Sequence, residues 1–263
     1  MKSTITGCWA ILALSIVLQG LSGCKKVLDY IGQHPGGAAD AWEIKTLGYQ
    51  GFYGDSETLT FSYNAWKNPV SVTRPDPRTG APNYFFTYDK WNRLSNLICA
   101  YAGGVAPNRI ETWNKYFYDG KGRIVVDSLY SFPDLVNGNP VPGEHSSLSA
   151  YYFEYDSYGR IIKETWQPEG GYPPLVSTYA YNADGNLAGP AYDNKINFRQ
   201  TNKIWMFLDR NYSVNNALPA TYTYNKAKLP LTIDCPEGQA MEFHVSTNNS
   251  ILFSSAKIEY FMP

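Results

Sequence analysis

The sequence predicts an all-β protein, a curved antiparallel meander whose sheet is open and barrel-like or shell-like, with one short helix near residues 202–209. Two observations predict this fold. Aromatic residues make up 16% of the 263 residues and charged residues only 17%, a balance typical of an ordered, sheet-rich chain. Six segments also repeat a tyrosine, an Asp or Asn, a short turn and a second apolar run. Such a repeat indicates successive hairpins of similar design.

The first 23 residues have the features of a signal peptide. Lys2 provides a short positive region, and the apolar run 9–18 that follows is too short to cross a membrane comfortably. The tetrapeptide LSGC at 21–24 resembles the lipobox of bacterial lipoproteins. This resemblance implies that a diacylglyceryl group is attached to the Cys24 thiol and that the signal peptide is cleaved just before it.

The remaining chain divides into a tether and one domain. Residues 24–40 contain a Pro-Gly-Gly run and small residues, and are predicted to form a flexible, lipid-anchored tether. Residues 41–263 are predicted to form a single β domain. Lys25 and Lys26 stand where an aspartate would retain a lipoprotein at the inner membrane, so we expect the outer membrane, on its periplasmic or cell-surface face. A net charge of −1 gives no field that would attract nucleic acid.

The repeated segments define the predicted hairpins. Each places a turn between two runs that are rich in aromatic and β-branched residues, as strands prefer. The segments are FSYNAWKNPVSV (61–72), FTYDKWNRLSNLI (86–98), YFYDGKGRIVVDSL (116–129), FEYDSYGRIIKETW (153–166), YAYNADGNLAG (179–189) and TYTYNKAKLPLTI (221–233).

The turn chemistry explains the repeated Asp, Gly and Arg. In the fourth segment Asp156 can open a type I turn by accepting backbone N–H groups, and Gly159 supplies the positive φ that a bulge needs. The register then places Asp156 opposite Arg160. We expect such pairs to be exposed, to contribute about 0.2–1 kcal/mol each, and to be structural rather than catalytic. The equivalent residues elsewhere are Asp89, Arg93, Asp119, Gly122, Arg123 and Gly185.

Two further elements complete the predicted fold. In TNKIWMFLDRNYS (201–213), Ile204, Phe207 and Leu208 recur at helical spacing, and Thr201 or Asn202 can cap the helix. We expect this helix to lie on the sheet or to plug it. The segment 241–261 is predicted to end the meander with another hairpin.

The YDxxGR segments resemble the YD repeats of the Rhs and teneurin proteins, which implies a wide β-shell built from such hairpins. The lipobox, these units and the stretch 191–219 together resemble a family of Bacteroidota lipoproteins of unknown function, described as having a porin-like, curved antiparallel β-fold. The resemblance implies a fold and a location but no activity. No counterpart of the autoproteolytic aspartate motif of Rhs proteins is found, and the chain is too short to carry a toxin cargo.

The residue patterns do not predict an enzyme. The histidines are His34 in the tether, His145 in a loop and His244 in a strand, and no nucleophile, zinc or nucleotide motif accompanies them. We therefore expect no catalytic residue, no metal and no cofactor, and a hydrolytic enzyme is the least favoured class. Cys99 and Cys235 lack metal-binding spacing; a disulfide is open to them, although two separate buried thiols are favoured.

A binding role is the favoured prediction. Trp66 and Trp91 lie within turns, where a side chain is hard to bury, and sugars stack on exposed tryptophan faces; Trp113 and Trp166 are expected in the core. The sequence thus predicts a non-catalytic, lipid-anchored envelope protein that binds a glycan or a partner protein. The alternative is a structural scaffold with no small ligand. An integral porin is disfavoured by the lipobox, the irregular strands and the polar loops.

Overall fold

The computed structural model describes residue 39 and residues 41–101, 110–144 and 146–262. The signal peptide 1–23 and nearly all of the tether 24–40 therefore lie outside the described residues. Within the described residues, no helix is long and apolar enough to cross a membrane.

The fold is almost entirely antiparallel β-structure. Within the described ranges the α-helix is α1 (Lys203–Leu208), and two 3-10 turns are found at Glu169–Gly171 and Phe198–Thr201. The strands are β1 (Glu43–Gly51), β2 (Ser56–Tyr63), β3 (Pro69–Thr73), β4 (Asn83–Tyr88), β5 (Leu94–Ala100), β6 (Ile110–Tyr118), β7 (Ile124–Ser131), β8 (Asp134–Val136), β9 (Asn139–Val141), β10 (Ser147–Tyr155), β11 (Ile161–Gln167), β12 (Leu175–Thr178), β13 (Thr221–Tyr224), β14 (Pro230–Asp234), β15 (Met241–Ser246) and β16 (Asn249–Phe261).

Fourteen strands form one curved sheet with two open edges. The order is β12-β11-β10-β7-β6-β5-β4-β3-β2-β1-β16-β14-β13, with β15 paired to β16, while β8 and β9 form a separate hairpin. The prediction of an open, curved antiparallel meander with one short helix is confirmed. The sequence did not predict that the last strand, β16, pairs with the first strand, β1, from Glu43↔Phe261 to Gly51↔Phe253.

Five of the six repeated segments form paired hairpins, and the fifth does not. Residues 179–189 keep the turn, since the Asn182 side chain accepts the backbone N–H groups of Asp184 and Asn186. Beyond the turn they make only an isolated bridge between Tyr181 and Leu187. Pro190 follows this short arm and has no N–H to donate to a ladder, so the arm cannot extend into a strand.

Helix α1 packs inside the curved sheet. The Asn202 side chain caps it by accepting the N–H of Ile204 at 2.9 Å. The Trp205 side chain is completely buried, and Phe207 and Leu208 are buried beside it. The helix therefore fills the concave face of the sheet and forms the centre of the main hydrophobic core.

A smaller apolar cluster is separate from the main core. Trp113 is buried against Ile98 and Ile110, and its ring stacks on Tyr130 with centroids 4.7 Å apart. The core position expected for Trp113 is thus found, although in this second cluster. Trp166 is only half-buried and stacks on Tyr151, so its predicted core position is only partly correct.

The six repeated turns share one backbone conformation. The fourth residue of each turn has a positive φ, between 58° and 83°. Glycine adopts this conformation without strain, and asparagine tolerates it best among the other residues. The six residues are Lys67, Asn92, Gly122, Gly159, Gly185 and Lys228.

We predict opposite effects for two alanine substitutions within one turn. Gly122 has a φ of 76°, so Gly122→Ala should lower the free energy of unfolding by about 1 kcal/mol through backbone strain. Gly120 has no such φ, and an added Cβ there would meet no atom within 4 Å. Gly120→Ala should therefore leave the stability unchanged or raise it by about 0.4–1 kcal/mol. Urea denaturation of both variants measures the difference, and equal effects would contradict the assigned turn.

Candidate functional site

Four of the repeated turns form a row at one end of the sheet, which we call the YD-turn rim. It consists of residues 64–68, 89–93, 119–123 and 156–160, the turns of the hairpins β2–β3, β4–β5, β6–β7 and β10–β11. Because these hairpins are neighbours in the sheet, consecutive turns lie two strands apart, which is about 10 Å. The rim therefore presents equivalent positions at regular intervals.

A side-chain oxygen fixes each turn of the rim. In the second turn, Asp89 Oδ1 accepts the backbone N–H groups of Trp91 and Arg93, each at 2.9 Å. In the first turn, Asn64 does the same for Trp66 and Asn68. The residue in the third position of each turn is thus held on a rigid backbone. The other two turns have the same contacts, made by Asp119 and Asp156.

The turn aspartates also bind the arginine four residues later. Arg123 Nε and Nη2 both donate to Asp119 Oδ2, at 2.9 and 2.7 Å. The backbone N–H of Arg123 and its side chain lower the pKa of the Asp119 carboxyl. For Asp89, desolvation would raise the pKa, but hydrogen bonds from the Arg93 backbone and side chain outweigh it and lower the pKa. Both carboxylates therefore remain ionised acceptors.

These ion pairs are less exposed than the sequence predicts. The Arg160 side chain is only 8% exposed, and those of Arg93 and Arg123 are about one-third exposed. The reason is that each guanidinium lies over the tyrosine of the next repeated segment: Arg160 over Tyr181, with the others on equivalent rings. The prediction of exposed pairs is wrong for Arg160, while Arg93 and Arg123 are partly exposed. The equivalent stacks are Arg93 over Tyr118 at 4.4 Å and Arg123 over Tyr155 at 4.9 Å.

The anchor tyrosines connect neighbouring hairpins. Tyr118 Oη donates to the carbonyl oxygen of Leu94, and Tyr155 Oη donates to that of Ile124, in each case just after the arginine of the preceding unit. Burial raises the pKa of both hydroxyls well above the ordinary tyrosine value, so they remain donors. The repeated Tyr, Asp and Arg thus form an interlocking structural ladder.

Trp66 and Trp91 project from the rim into solvent. Their exposed fractions are 72% and 64%. Lys90 Nζ lies 4.3 Å and Arg93 Cζ 4.7 Å from the Trp91 ring centroid. Trp66 is followed by Asn68 instead of arginine, and no ring or cation stacks on it among the described residues. The two tryptophans therefore differ in how much of each ring a ligand could cover.

A groove lies between the rim and helix α1. Its volume is about 190 Å³, and Tyr88, Tyr118 and Tyr155 line it together with Lys203 and Phe207. Arg93 and Arg123 also line it, and the Nη1 of each makes no hydrogen bond within the described residues. The groove can therefore offer aromatic surface and unpaired N–H donors to a polar ligand, and Arg93 connects it to the Trp91 ring.

The remaining candidate residues are not assembled with the rim. His145 and His34 lie outside the described residues, and His244 binds Asp209 through Nδ1 at 2.9 Å. Cys99 is buried and Cys235 half-buried, and neither forms a disulfide, so the favoured interpretation of separate thiols agrees with the structure except that Cys235 is not fully buried. In the described residues no group of three His, Cys, Asp or Glu side chains could hold a metal ion.

A buried carboxyl group that the sequence did not predict lies in the interior. Asp127 on β7 is completely buried, and both its oxygens accept from Asn114 Nδ2, at 3.1 and 3.0 Å. Burial raises the pKa of Asp127 from 3.8 to about 6, although the Asn114 amide opposes this shift. Asp127 faces the core in the middle of a strand, where local patterning predicts an apolar residue.

Comparison with known proteins leaves the family open. No protein-family model matches the chain, and no curated protein matches it. The structure of TcdB2-TccC3-TEV is similar at 12% identity over 76% of this chain and 10% of that chain. That of TcdB2-TccC3 without its hypervariable C-terminal region is similar at 13% identity over 78% and 11%. The TM-score is 0.30 in both cases, and this chain spans about a tenth of the length of those chains.

We predict that Asp127 makes the fold less stable as pH rises from about 4 to 6. The folded state keeps the Asp127 proton up to about pH 6, whereas the unfolded chain loses it near 3.8. The stabilisation is therefore complete below pH 4 and lost above pH 6, and it amounts to about 2–3 kcal/mol. Relative to Asp127→Asn, the wild-type free energy of unfolding should fall across this window.

The surface carboxylate Asp119 provides a control, because its contribution to the free energy of unfolding should change with pH in the opposite direction. Its pKa is lowered in the folded state, so its contribution is present above the unfolded pKa and is lost as pH falls. Asp119→Asn should therefore remove stability at neutral pH and have little effect at low pH. Urea denaturation at several pH values measures both variants, and parallel pH profiles for wild type and Asp127→Asn would contradict the raised pKa.

Proposed function

We propose that this protein is a non-catalytic, lipid-anchored outer-membrane protein that binds a glycan along the YD-turn rim. One observation carries this proposal: Trp66 and Trp91, in neighbouring turns, hold large apolar rings in water on a backbone that their own turns fix. Nothing in the fold requires an exposed tryptophan at these positions. A ligand that stacks on the rings would cover this apolar surface.

The rigidity of the turns supports binding. A side chain on a preorganised backbone loses less conformational freedom when a ligand binds, so more of the contact energy appears as affinity. Indole also has only two side-chain torsions to restrict. The spacing of about 10 Å between consecutive turns would let one extended oligosaccharide contact both rings.

The charged groups beside the rings favour a polar ligand over a purely apolar one. Lys90 and Arg93 flank the Trp91 ring, and the free Nη1 groups of Arg93 and Arg123 line the adjacent groove. Ammonium and guanidinium N–H groups can donate to sugar hydroxyl oxygens. Together, rings and donors match the two surfaces of a sugar, its C–H face and its hydroxyl rim.

A protein-binding scaffold is the second candidate, and the open sheet edge favours it. All four residues of β12 are exposed, and Leu175 and Val176 are 61% and 55% exposed. An unpaired edge strand can accept a strand from a partner protein. A hydrolytic enzyme is the least favoured alternative.

The lipid anchor is proposed from the sequence. LSGC at 21–24 follows a short apolar run. Because the turn aspartates and arginines neutralise one another and the net charge of the chain is −1, no strongly charged surface would attract nucleic acid. We include in the proposal that the chain is a relative of the Bacteroidota lipoproteins that it resembles. The tether 24–40 would then separate the rim from the membrane.

We predict that Trp66→Ala and Trp91→Ala each weaken glycan binding about tenfold or more, because each removes a stacking surface. Stability should change by no more than about 0.5 kcal/mol, since both side chains are largely exposed. Calorimetry against a panel of soluble polysaccharides, with thermal melts of each variant, measures both effects.

Tyr53→Ala is the matched control. Tyr53 is 86% exposed in the β1–β2 turn, at the end of the sheet opposite the rim, so its loss should affect neither binding nor stability. Unfolding of both tryptophan variants would show that these rings support the fold. Failure of the wild-type protein to bind any polysaccharide in the panel would remove the glycan proposal and leave the scaffold as the leading candidate.

We predict that Cys24→Ser prevents membrane attachment. The thiol is the proposed acceptor of the diacylglyceryl group, and serine offers no thiol for this modification. Detergent phase partitioning of cell lysates should place the wild-type protein in the detergent phase. The variant should remain as an unprocessed or soluble precursor. Cys99→Ser, which changes a buried thiol of the domain, is the control and should stay membrane-bound. A wild-type protein that is soluble without detergent would contradict the anchor.

A further inference from the structure

A second cavity lies at the end of the sheet opposite the YD-turn rim. Strand β14 begins after the turn 225–229, at the same end of the sheet as the rim, and ends at Asp234. The loop that follows, 235–240, forms one wall of the cavity. The segment 192–220, which connects the last repeated hairpins outside the sheet, forms the other wall. The cavity volume is about 280 Å³, near the lower limit for small-molecule sites and suited to a ligand of one ring.

Arg199 is the positively charged residue that lines this cavity. Its side chain is almost completely buried, and its guanidinium lies 4.6 Å from the Phe198 ring centroid. Nε contacts Asp209 Oδ2, and Nη2 donates to the carbonyl oxygen of Glu242 at 2.5 Å. Nη1 has no hydrogen-bond partner within the described residues. The end of the guanidinium that carries Nη1 is therefore available to a ligand in the cavity that Arg199 lines.

Asp209, the partner of Arg199, also accepts hydrogen bonds from other groups. Asp209 Oδ1 accepts the backbone N–H of His244 and faces the Nδ1 of the same residue, each at 2.9 Å. Burial lowers the pKa of His244 to about 4, so the imidazole is neutral near pH 7 and its Nδ1–H serves as a donor. With three donors around it, the Asp209 carboxylate holds Arg199 in place and leaves the outer edge of the guanidinium exposed to the cavity.

The walls of the cavity combine aromatic rings with amide side chains around this edge, the latter from Asn197, Asn211, Asn216 and Gln239. Tyr192 and Tyr222 line it, and their hydroxyls already donate to the carbonyl oxygens of Leu187 and Ala217. Glu242 is the carboxylate among the lining residues; its side chain is half-exposed and accepts the Ser250 hydroxyl at 2.6 Å. Water therefore screens Glu242, whereas only the edge of the Arg199 guanidinium that lines the cavity is accessible.

We propose that this cavity binds a small cyclic carboxylate, of which a sugar acid is the class to test. A guanidinium edge with unpaired N–H donors forms strong, directed hydrogen bonds to a carboxylate, and the tyrosine walls fit a ring. This site is separate from the YD-turn rim and does not depend on the glycan proposal. Neither wall contains a repeated turn.

Matched ligands test the charge requirement. Glucuronate and glucose share a ring and differ in the group at one carbon, a carboxylate or a hydroxymethyl. Calorimetry with the purified domain should give a dissociation constant for glucuronate at least about tenfold lower than for glucose, and benzoate should also bind. Equal affinities for glucuronate and glucose, or no binding of either carboxylate, would overturn the proposal.

Cys235 provides a local reporter of occupancy. It lines the cavity and is half-buried, whereas Cys99 is fully buried. Mass spectrometry of maleimide labelling should show that glucuronate slows modification of Cys235 while glucose does not. Labelling of Cys235 at an unchanged rate under saturating glucuronate would place the ligand elsewhere and overturn the proposal.

A blocking variant avoids disturbing the buried ion pair. Ala240 lines the cavity, and Ala240→Trp should fill it and abolish glucuronate binding while Arg199 and Asp209 keep their contact. The same variant should retain polysaccharide binding at the rim, and Trp66→Ala should retain glucuronate binding. Loss of both activities in either variant would contradict two independent sites, and glucuronate binding by a folded Ala240→Trp protein would overturn the proposed location.

Discussion

The packing of one tryptophan inside the sheet determines the shape of the domain. The Trp205 ring contacts Phe61 on β2, Phe86 on β4 and Phe243 on β15, with centroids 5.4, 5.8 and 6.1 Å apart. Strands so far apart in one sheet can reach the same ring only if the sheet curves around it. Burial of a tryptophan stabilises a fold by several kcal/mol, and each aromatic contact adds about 0.5–1.5 kcal/mol. Phe207, two residues further along the helix, contacts Tyr116 on β6 and Phe153 on β10 in the same way.

Polar contacts at both ends of helix α1 fix its position relative to the sheet. The Asn202 side chain caps helix α1 and also donates to the carbonyl oxygen of Lys67 in the first rim turn at 2.8 Å. At the other end of the helix, Arg210 binds Glu164 on β11 at 2.5 Å and the carbonyl oxygen of Thr247 at 2.9 Å. Buried ion pairs add little net stability, but removing one partner is costly, so these contacts favour a single arrangement.

Local chemistry predicted the turns, and non-local contacts account for what the sequence did not predict. The role of Asp156 and Gly159 depends on four consecutive residues, so both could be assigned directly. The burial of Arg160 depends on Tyr181, which comes from the next segment and reaches the arginine because the preceding strand, β12, pairs with β11. Arg199 and the cavity it lines were not predicted for the same reason, since its contacts come from residues up to 43 positions away. The exposure of Trp66 could be predicted because a turn residue has few neighbours.

The third position of each turn is one that the fold leaves free to vary. The side chain of the first residue accepts backbone N–H groups, and the fourth residue needs a positive φ. An arginine in the fifth position stacks on the tyrosine of the next segment. The third residue only donates its backbone N–H. It varies accordingly, through Trp66, Trp91, Lys121 and Tyr158 along the rim. Arginine stacks on this residue in the turns of Trp91 and Tyr158. Trp66 has no such arginine and keeps the more exposed ring. A repeat that constrains its first, fourth and fifth positions can therefore change the side chain that it presents to solvent at the third, without altering the sheet.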